Sequence, residues 1–322
     1  MPWETDMWGD KRYHSLDHEL KSIYGGKVYR LSLSSFCGCP NRDGSIGRGG
    51  CIFCSAGGSG DFAGKPFEDI DVQMGKAREL VASKLGRKPA GYIAYFQSFS
   101  NTYGDPERLK ELFLRAMEPE DVLILSVATR PDCLPDEILD MLSELARIKP
   151  VWVELGLQTV DEKVAEFINR GYKLPVFEEG VRRLKEAGIG VVVHVIAGLP
   201  FEDQEATLRT IRYLAGFETG GRHIDGIKIH LLHVLEGTEL CRLYREGRAH
   251  IKEYTLPEYA DLIADILEIL PADIVVHRLT GDAPKRLLVA PLWSGDKKRV
   301  LNTITRRLSE RNVIQGSGYS KV

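Results

Sequence analysis

Four of the six cysteines in this 322-residue chain fall in one loop: Cys37, Cys39, Cys51 and Cys54. Cys51-Ile52-Phe53-Cys54 is a C-x2-C pair, and Cys39 precedes it across a stretch rich in Gly, Asn and Asp. Those residues tolerate tight turns and positive φ, so the backbone can wrap a small object. Thiolates are soft ligands that select iron–sulfur clusters, zinc or copper(I). All four together could close a tetrahedral zinc site, so a zinc-stabilised RNA-binding or scaffold protein is one reading of the loop.

The wider string narrows the choice. Cys39-Pro40-Asn41-Arg42-Asp43-Gly44, the Gly47-Arg48-Gly49-Gly50 run and Cys51-x2-Cys54 resemble the cluster loop of the YhcC/YtqA-type branch of the radical S-adenosylmethionine (SAM) superfamily, a branch related to the catalytic subunit of Elongator. The resemblance extends from Arg12 to about Ile304. It implies that Cys39, Cys51 and Cys54 bind three irons of a [4Fe–4S] cluster and that the fourth iron is open to SAM. An open coordination position turns a structural centre into a reactive one. Cys37 is outside the pattern and reads as a small residue at a strand end.

The resemblance also implies a SAM-binding set. Phe53 falls where an aromatic residue lies near the adenine. Gln97, closing Tyr95-Phe96-Gln97, replaces a Gly-rich contact to the methionine amino group. Thr129 and Glu154 end the third and fourth strands. Gln158 is expected at the ribose, as is His194. Arg170 is expected at the methionyl carboxylate, a pairing that suits a guanidinium. Read without the resemblance, His194 is a satisfied histidine in a buried strand and Glu154 a structural ion-pair partner.

Reductive cleavage of SAM gives methionine and a 5′-deoxyadenosyl radical, so no Ser/His/Asp arrangement is needed and none is apparent. Substrate-side candidates are Lys228, His230 and His233, then His277, Arg278 and Asp282. Lys228 and His230 alternate with Ile227 and Ile229 and so share one strand face. Cys133 and Cys241 have no metal-like spacing.

The elements that must position these residues alternate in type. Strands are expected near 27–33, 90–97, 121–127, 151–157, 190–197 and 227–232, with helices between them except at the cysteine loop. The helix after the loop is expected over Pro66–Leu85. Asp105-Pro106 opens another, and Thr159-x-x-Glu162 has the spacing of a capping box. Apolar strands alternating with amphipathic helices mean a parallel sheet covered by helices, either an open doubly wound sheet or a curved barrel. The resemblance selects a partial (β/α)6 TIM-like radical SAM barrel over residues 27–240, with extensions at 1–26 and 241–322. Chemistry belongs at the C-terminal ends of the strands in both architectures.

Bulk composition is that of a globular protein, with 43% hydrophobic and 28% charged residues and a formal net charge of −3. The charge is uneven. From His277 onward there are ten Lys and Arg against three Asp and Glu, a balance of +7, so the preceding chain carries −10. Residues 297–311 read as a basic amphipathic helix. No apolar stretch reaches membrane-spanning length, and cysteines gathered in one loop suit a reducing, cytoplasmic setting. Kinship with Elongator and the basic tail imply a tRNA substrate, modified at the side chain of a wobble uridine. A reducing electron donor, and a partner enzyme that completes the modification, are implied as well. About ninety residues follow the sixth strand, too few for an ordinary acetyltransferase domain. Radical chemistry on a small molecule such as a porphyrinogen or lipid precursor is the alternative.

Overall fold

Every side chain of Gly91–Phe96 is buried, which an isolated strand cannot achieve and a strand covered on both faces must. The computed structural model of the protein describes residues 8–58, 63–83 and 89–320. It divides into two units.

One unit spans Leu20–Gly156 and Gly171–Val192. It contains β1 (Val28–Leu33), β2 (Gly91–Phe96), β3 (Val122–Thr129) and most of β4 (Val151–Gln158). Neighbours pair in parallel, with Leu31 opposite Ala94, Ala94 opposite Leu125, and Ala128 opposite Glu154. The helix Pro106–Met117 buries Leu109, Phe113, Ala116 and Met117, and Phe113 meets Phe96 edge-on with centroids 4.9 Å apart. Its Asp105 cap accepts from the Arg108 N–H, as the Asp-Pro signal requires. The helix after the cysteine loop is Ile70–Ala82; Leu85, its expected end, lies outside the described residues.

The other unit spans Met1–Glu19, Leu157–Arg170 and Val193–Val322. It takes most of β5 (Gly190–Ala197), then β6 (Gly226–Leu231), β7 (Val234–Leu235), β8 (Val275–Arg278) and β9 (Leu288–Ala290). β6 pairs in parallel with β8, and β7 pairs antiparallel with β9. The helices Leu256–Ile269 and Lys297–Glu310 pack together, the second burying Val300, Ile304 and Leu308.

The strand order is β1-β2-β3-β4-β5-β6-β8. A doubly wound sheet reverses direction at a switch point. Here each strand is laid beside the last, the winding of a (β/α) barrel, and this decides between the two architectures left open by the alternation. Sequence patterning missed the seventh strand: Val275–Arg278 is four residues long and owes its pairing to β6, far away in the chain. The expected capping box is corrected too. Asp161, not Thr159, caps the helix Glu162–Phe167: its carboxylate accepts from the Lys163 and Val164 N–H groups, while the Thr159 hydroxyl accepts from the Asp161 N–H one residue too early and donates to Glu202. A true capping box occurs at Thr255 and Glu258. Among the described residues no helix is long and apolar enough to cross a membrane.

Candidate active site

The cysteine loop leaves the end of β1 and is folded back by its own polar residues. Cys39 precedes the short helix Pro40–Asp43, which ends on Gly44 at φ 98°. Arg42 donates to the carbonyls of Cys54 at 3.1 Å and Ser55 at 2.7 Å, and its guanidinium lies 5.4 Å from the centre of the Phe99 ring. Gly50, at φ 78°, lets this happen: a Cβ there would lie 2.7 Å from the Arg42 Nε. Buried Asn41 directs its amide toward the Cys51 sulfur at 4.0 Å.

Three of the four thiols share one electrostatic environment. Burial pushes the Cys51 thiol up to about 12, and neighbouring Cys54 and Cys39 add to the shift while Arg130 opposes it. Cys37 stands apart. It is buried against Gly104, where a Cβ would come within 2.9 Å of its sulfur, and its charged neighbour is Arg108. The tetrahedral four-thiol arrangement is therefore not formed. Among the described residues no three His, Cys, Asp or Glu side chains gather as ligands of a single metal ion. A zinc site needs every sulfur about 2.3 Å from one point; a four-iron cluster takes thiolates that stand farther apart. Cys39, Cys51 and Cys54, with a cation beside them, fit the larger group.

That cation is Arg130, which sequence reasoning passed over in favour of its neighbour Thr129. Its guanidinium grips Asp132 at 2.9 and 2.7 Å and lies 5.0 Å from the centre of the Tyr172 ring. The Thr129 hydroxyl is taken up by Thr102 at 2.6 Å. Glu154 is buried and accepts from Ser126 at 2.8 Å. Gln97 and Phe53 are half-buried. An open groove of about 870 Å³ in this unit is lined by Tyr103, Asp132, Cys133, Val176 and Arg183 among others. None of the expected ligands lines it.

In the second unit, Gln158 ends β4 at φ 65°, uncommon for a non-glycine residue. Its side-chain oxygen is buried without a hydrogen-bond partner. Arg170 is 1% exposed and donates to the carbonyls of Leu157 at 3.0 Å and Thr159 at 2.7 Å, with Glu162 at 3.3 Å. These bonds give it a structural task at the end of β4. Another buried carboxylate, Glu202, was not anticipated. It follows Gly198-Leu199-Pro200 and accepts from Thr159 at 2.5 Å; its second oxygen has no hydrogen-bond partner.

The substrate-side candidates largely converge at the ends of β6 and β8. Lys228 is 1% exposed, so the face it shares with His230 is not a solvated one. Lys228 lies opposite Arg278 in the register. The His194 and His230 rings are 5.1 Å apart. A Cβ on Gly281 would lie 2.9 Å from the His233 ring and 3.6 Å from the His230 Nδ1, so both imidazoles close on that glycine. The Nε2 atoms of His230 and His233 are buried without hydrogen-bond partners. Burial holds both imidazoles neutral, His233 falling to about 4 and His230 well below its usual value. Asp282 bridges Arg278 at 3.2 Å and Lys297 at 2.7 Å. His277 is not in this group: next to Arg278 on an extended strand, it takes the opposite face and packs over Gly226.

Residues 33–214 match the model of the radical SAM superfamily, and residues 224–310 match a radical SAM C-terminal domain. The chain is 42% identical over 313 residues to YtqA of Bacillus subtilis, covering 97% of this chain and 94% of that protein. It is 34% identical to YhcC of Escherichia coli K12, covering 94% of each. A tRNA uridine(34) acetyltransferase of Methanocaldococcus jannaschii is 28% identical over 191 residues, 59% of this chain and 33% of that one. The solved structure of Elp3 from Methanocaldococcus infernus, lacking its first residues, superposes with a TM-score of 0.66 at 17% identity, covering 89% of this chain and 64% of that one.

Proposed function

The chain belongs to the radical SAM superfamily, and from that premise we propose that it modifies tRNA, at the side chain of a wobble uridine. It is a radical SAM enzyme with the fold of that superfamily, whose members use a [4Fe–4S] cluster and SAM. When bound, these supply a 5′-deoxyadenosyl radical, formed by one-electron reductive cleavage of SAM and able to take hydrogen from an unactivated carbon.

This chain's residues supply position and a dry site. Cys39, Cys51 and Cys54 hold the cluster, and Arg42 and Asn41 keep the loop in the shape that presents them. The observation that carries this assignment is the separation of Cys37 from the other three thiols. Gln158 meets the ribose with its otherwise unpartnered oxygen, and His194 stands by as a second contact. Phe53, Gln97, Thr129 and Glu154 keep the SAM-side roles that the family resemblance implies. Arg170 keeps the methionyl-carboxylate role that the family resemblance implies, beside its bonds to Leu157, Thr159 and Glu162. Lys228, His230, His233, Arg278 and Asp282 receive the substrate.

The tRNA assignment is supported by partial likeness to a protein named for uridine 34 of tRNA and by the basic C-terminal region. The aligned part is a third of that protein, so acetyl transfer is not carried over. The test is an anaerobic assay for 5′-deoxyadenosine with reconstituted protein, with and without bulk tRNA, followed by nucleoside analysis. Stimulation by tRNA together with a new nucleoside is the expected result. Cleavage indifferent to tRNA, with tRNA nucleosides unchanged, would move the substrate to the small-molecule class.

A further inference from the structure

The ten basic residues of the C-terminal region do not form one population. Arg307 and Arg311 are consumed inside the fold. Arg307 pairs with Asp261 at 2.5 and 2.7 Å, and Arg311 with Asp265 at 2.6 Å, pinning the last helix to Leu256–Ile269. Arg278 and Lys297 share Asp282, and Arg306 has a loose partner in Glu310 at 3.6 Å. Lys285, Arg286, Lys298 and Arg299 are different. All four are exposed, and none has an ion-pair partner among the described residues.

Lys285 and Arg286 are consecutive in the chain, and Lys298 and Arg299 lie in the first turn of the last helix. The stem of Lys285 lies 3.9 Å from where a Cβ on Gly295 would be, just before the last helix begins. Lys298, Arg299 and Arg306 line a depression of about 440 Å³ with Asp296, Asn302 and Thr303. Asp296 is the one carboxylate there, and it is occupied in capping the helix through the Arg299 N–H. In a chain whose net charge is −3, exposed cations left unpaired beside the paired Arg278, Lys297, Arg306, Arg307 and Arg311 form a distinct electropositive face. The face also leads somewhere: Lys297 reaches Asp282, Asp282 reaches Arg278, and beside them Gly281 packs on His233 and His230.

We propose that Lys285, Arg286, Lys298 and Arg299 form a phosphate-binding face for RNA, which holds the backbone while the segment to be modified enters toward His230 and His233. This rests on the tRNA reading above. Phosphate contacts fix position without reading sequence, and each one made by Lys or Arg adds to the salt dependence of binding.

The experiment measures binding of the reconstituted holoenzyme to bulk tRNA over a series of salt concentrations. The proteins are the wild type, the fourfold variant K285A/R286A/K298A/R299A, and the charge-preserving exchange K285R/R286K/K298R/R299K. The fourfold variant is expected to lower the slope of log K against log salt by about 3–4 and the affinity by about 10²-fold at low salt. The exchange variant keeps the slope, and SAM cleavage without RNA is unchanged in both. Wild-type binding with the same slope in the fourfold variant overturns this face and leaves the tRNA reading standing. Failure of the wild type to bind tRNA, with SAM cleavage intact, overturns that reading as well. Equal, face-dependent binding to phosphatidylserine vesicles would reassign the face to membranes.

Discussion

The guanidinium of Arg42 donates to the carbonyl of Cys54 at 3.1 Å, tying the start of the cysteine loop to its last thiol. A second bond to Ser55 at 2.7 Å makes the clamp two-pronged. Replacing Arg42 by Ala removes two charged hydrogen bonds, worth about 1–3 kcal/mol. Iron and sulfide per chain after anaerobic reconstitution should fall severalfold, with only a modest drop in the melting temperature of the apoprotein. Full iron loading in this variant would remove Arg42 from the loop's architecture.

Cys37→Ala should keep the brown iron–sulfur absorbance, at a stability cost of about 1 kcal/mol for the small void. Cys39→Ala, Cys51→Ala and Cys54→Ala should each abolish it. The contrast follows from Cys37 packing on Gly104 while the other three thiols perturb one another. Loss of the cluster in Cys37→Ala, with the fold intact, would put that thiol in the ligand set.

Arg170 is nearly inaccessible and satisfies the carbonyls of Leu157 and Thr159 at the end of β4. Arg170→Ala leaves both carbonyls and Glu162 without it, and breaking a buried charged network of this kind costs about 3–5 kcal/mol. Urea unfolding of the apoprotein should show that loss. Arg170→Lys recovers only part, because an ammonium cannot span the same fork. An unchanged midpoint would show that Arg170 has no structural task here.

Burial raises the Glu202 carboxyl to about 7; Asp161 and Asp203 push in the same direction, while Thr159 and Arg209 oppose it. The folded state therefore holds its proton more tightly than the unfolded state, whose carboxyl has the ordinary value near 4.5. Protonation-linked stability is full below that ordinary value and is lost as pH rises through about 7, by on the order of 3 kcal/mol. Glu202→Gln keeps an acceptor for Thr159 and removes the titration. Its urea midpoint should exceed the wild-type midpoint at pH 8 and approach it at pH 5. Parallel pH profiles for the two proteins would refute the shift.

Much of this was legible in the sequence because it is local. The period of the strands and helices follows from side-chain alternation, and Asp105-Pro106 marks its helix by chemistry confined to one turn. The cysteine loop announces itself by spacing. What escaped is what depends on distant partners. β8 exists because β6 lies beside it. Thr159 donates to Glu202, forty-three residues on, a partner no local pattern names. Arg130 matters through Cys51 and Asp132, and nothing in the string Thr129-Arg130-Pro131-Asp132 ranks the arginine above the threonine. The candidate histidines were found by type and register, but only the packing on Gly281 and Gly226 separates His230 and His233 from His277.

The segments at Arg12–His14 and Gln315 are knitted together at the rim of β8. The Gln315 N–H donates to the Arg12 carbonyl at 2.9 Å, its side-chain oxygen receives the His14 N–H, and the Val276 N–H donates to the His14 carbonyl at 2.7 Å. A short linker between the segments at Arg12 and Gln315 would thus let new termini be opened in an exposed loop elsewhere, giving a circularly permuted enzyme.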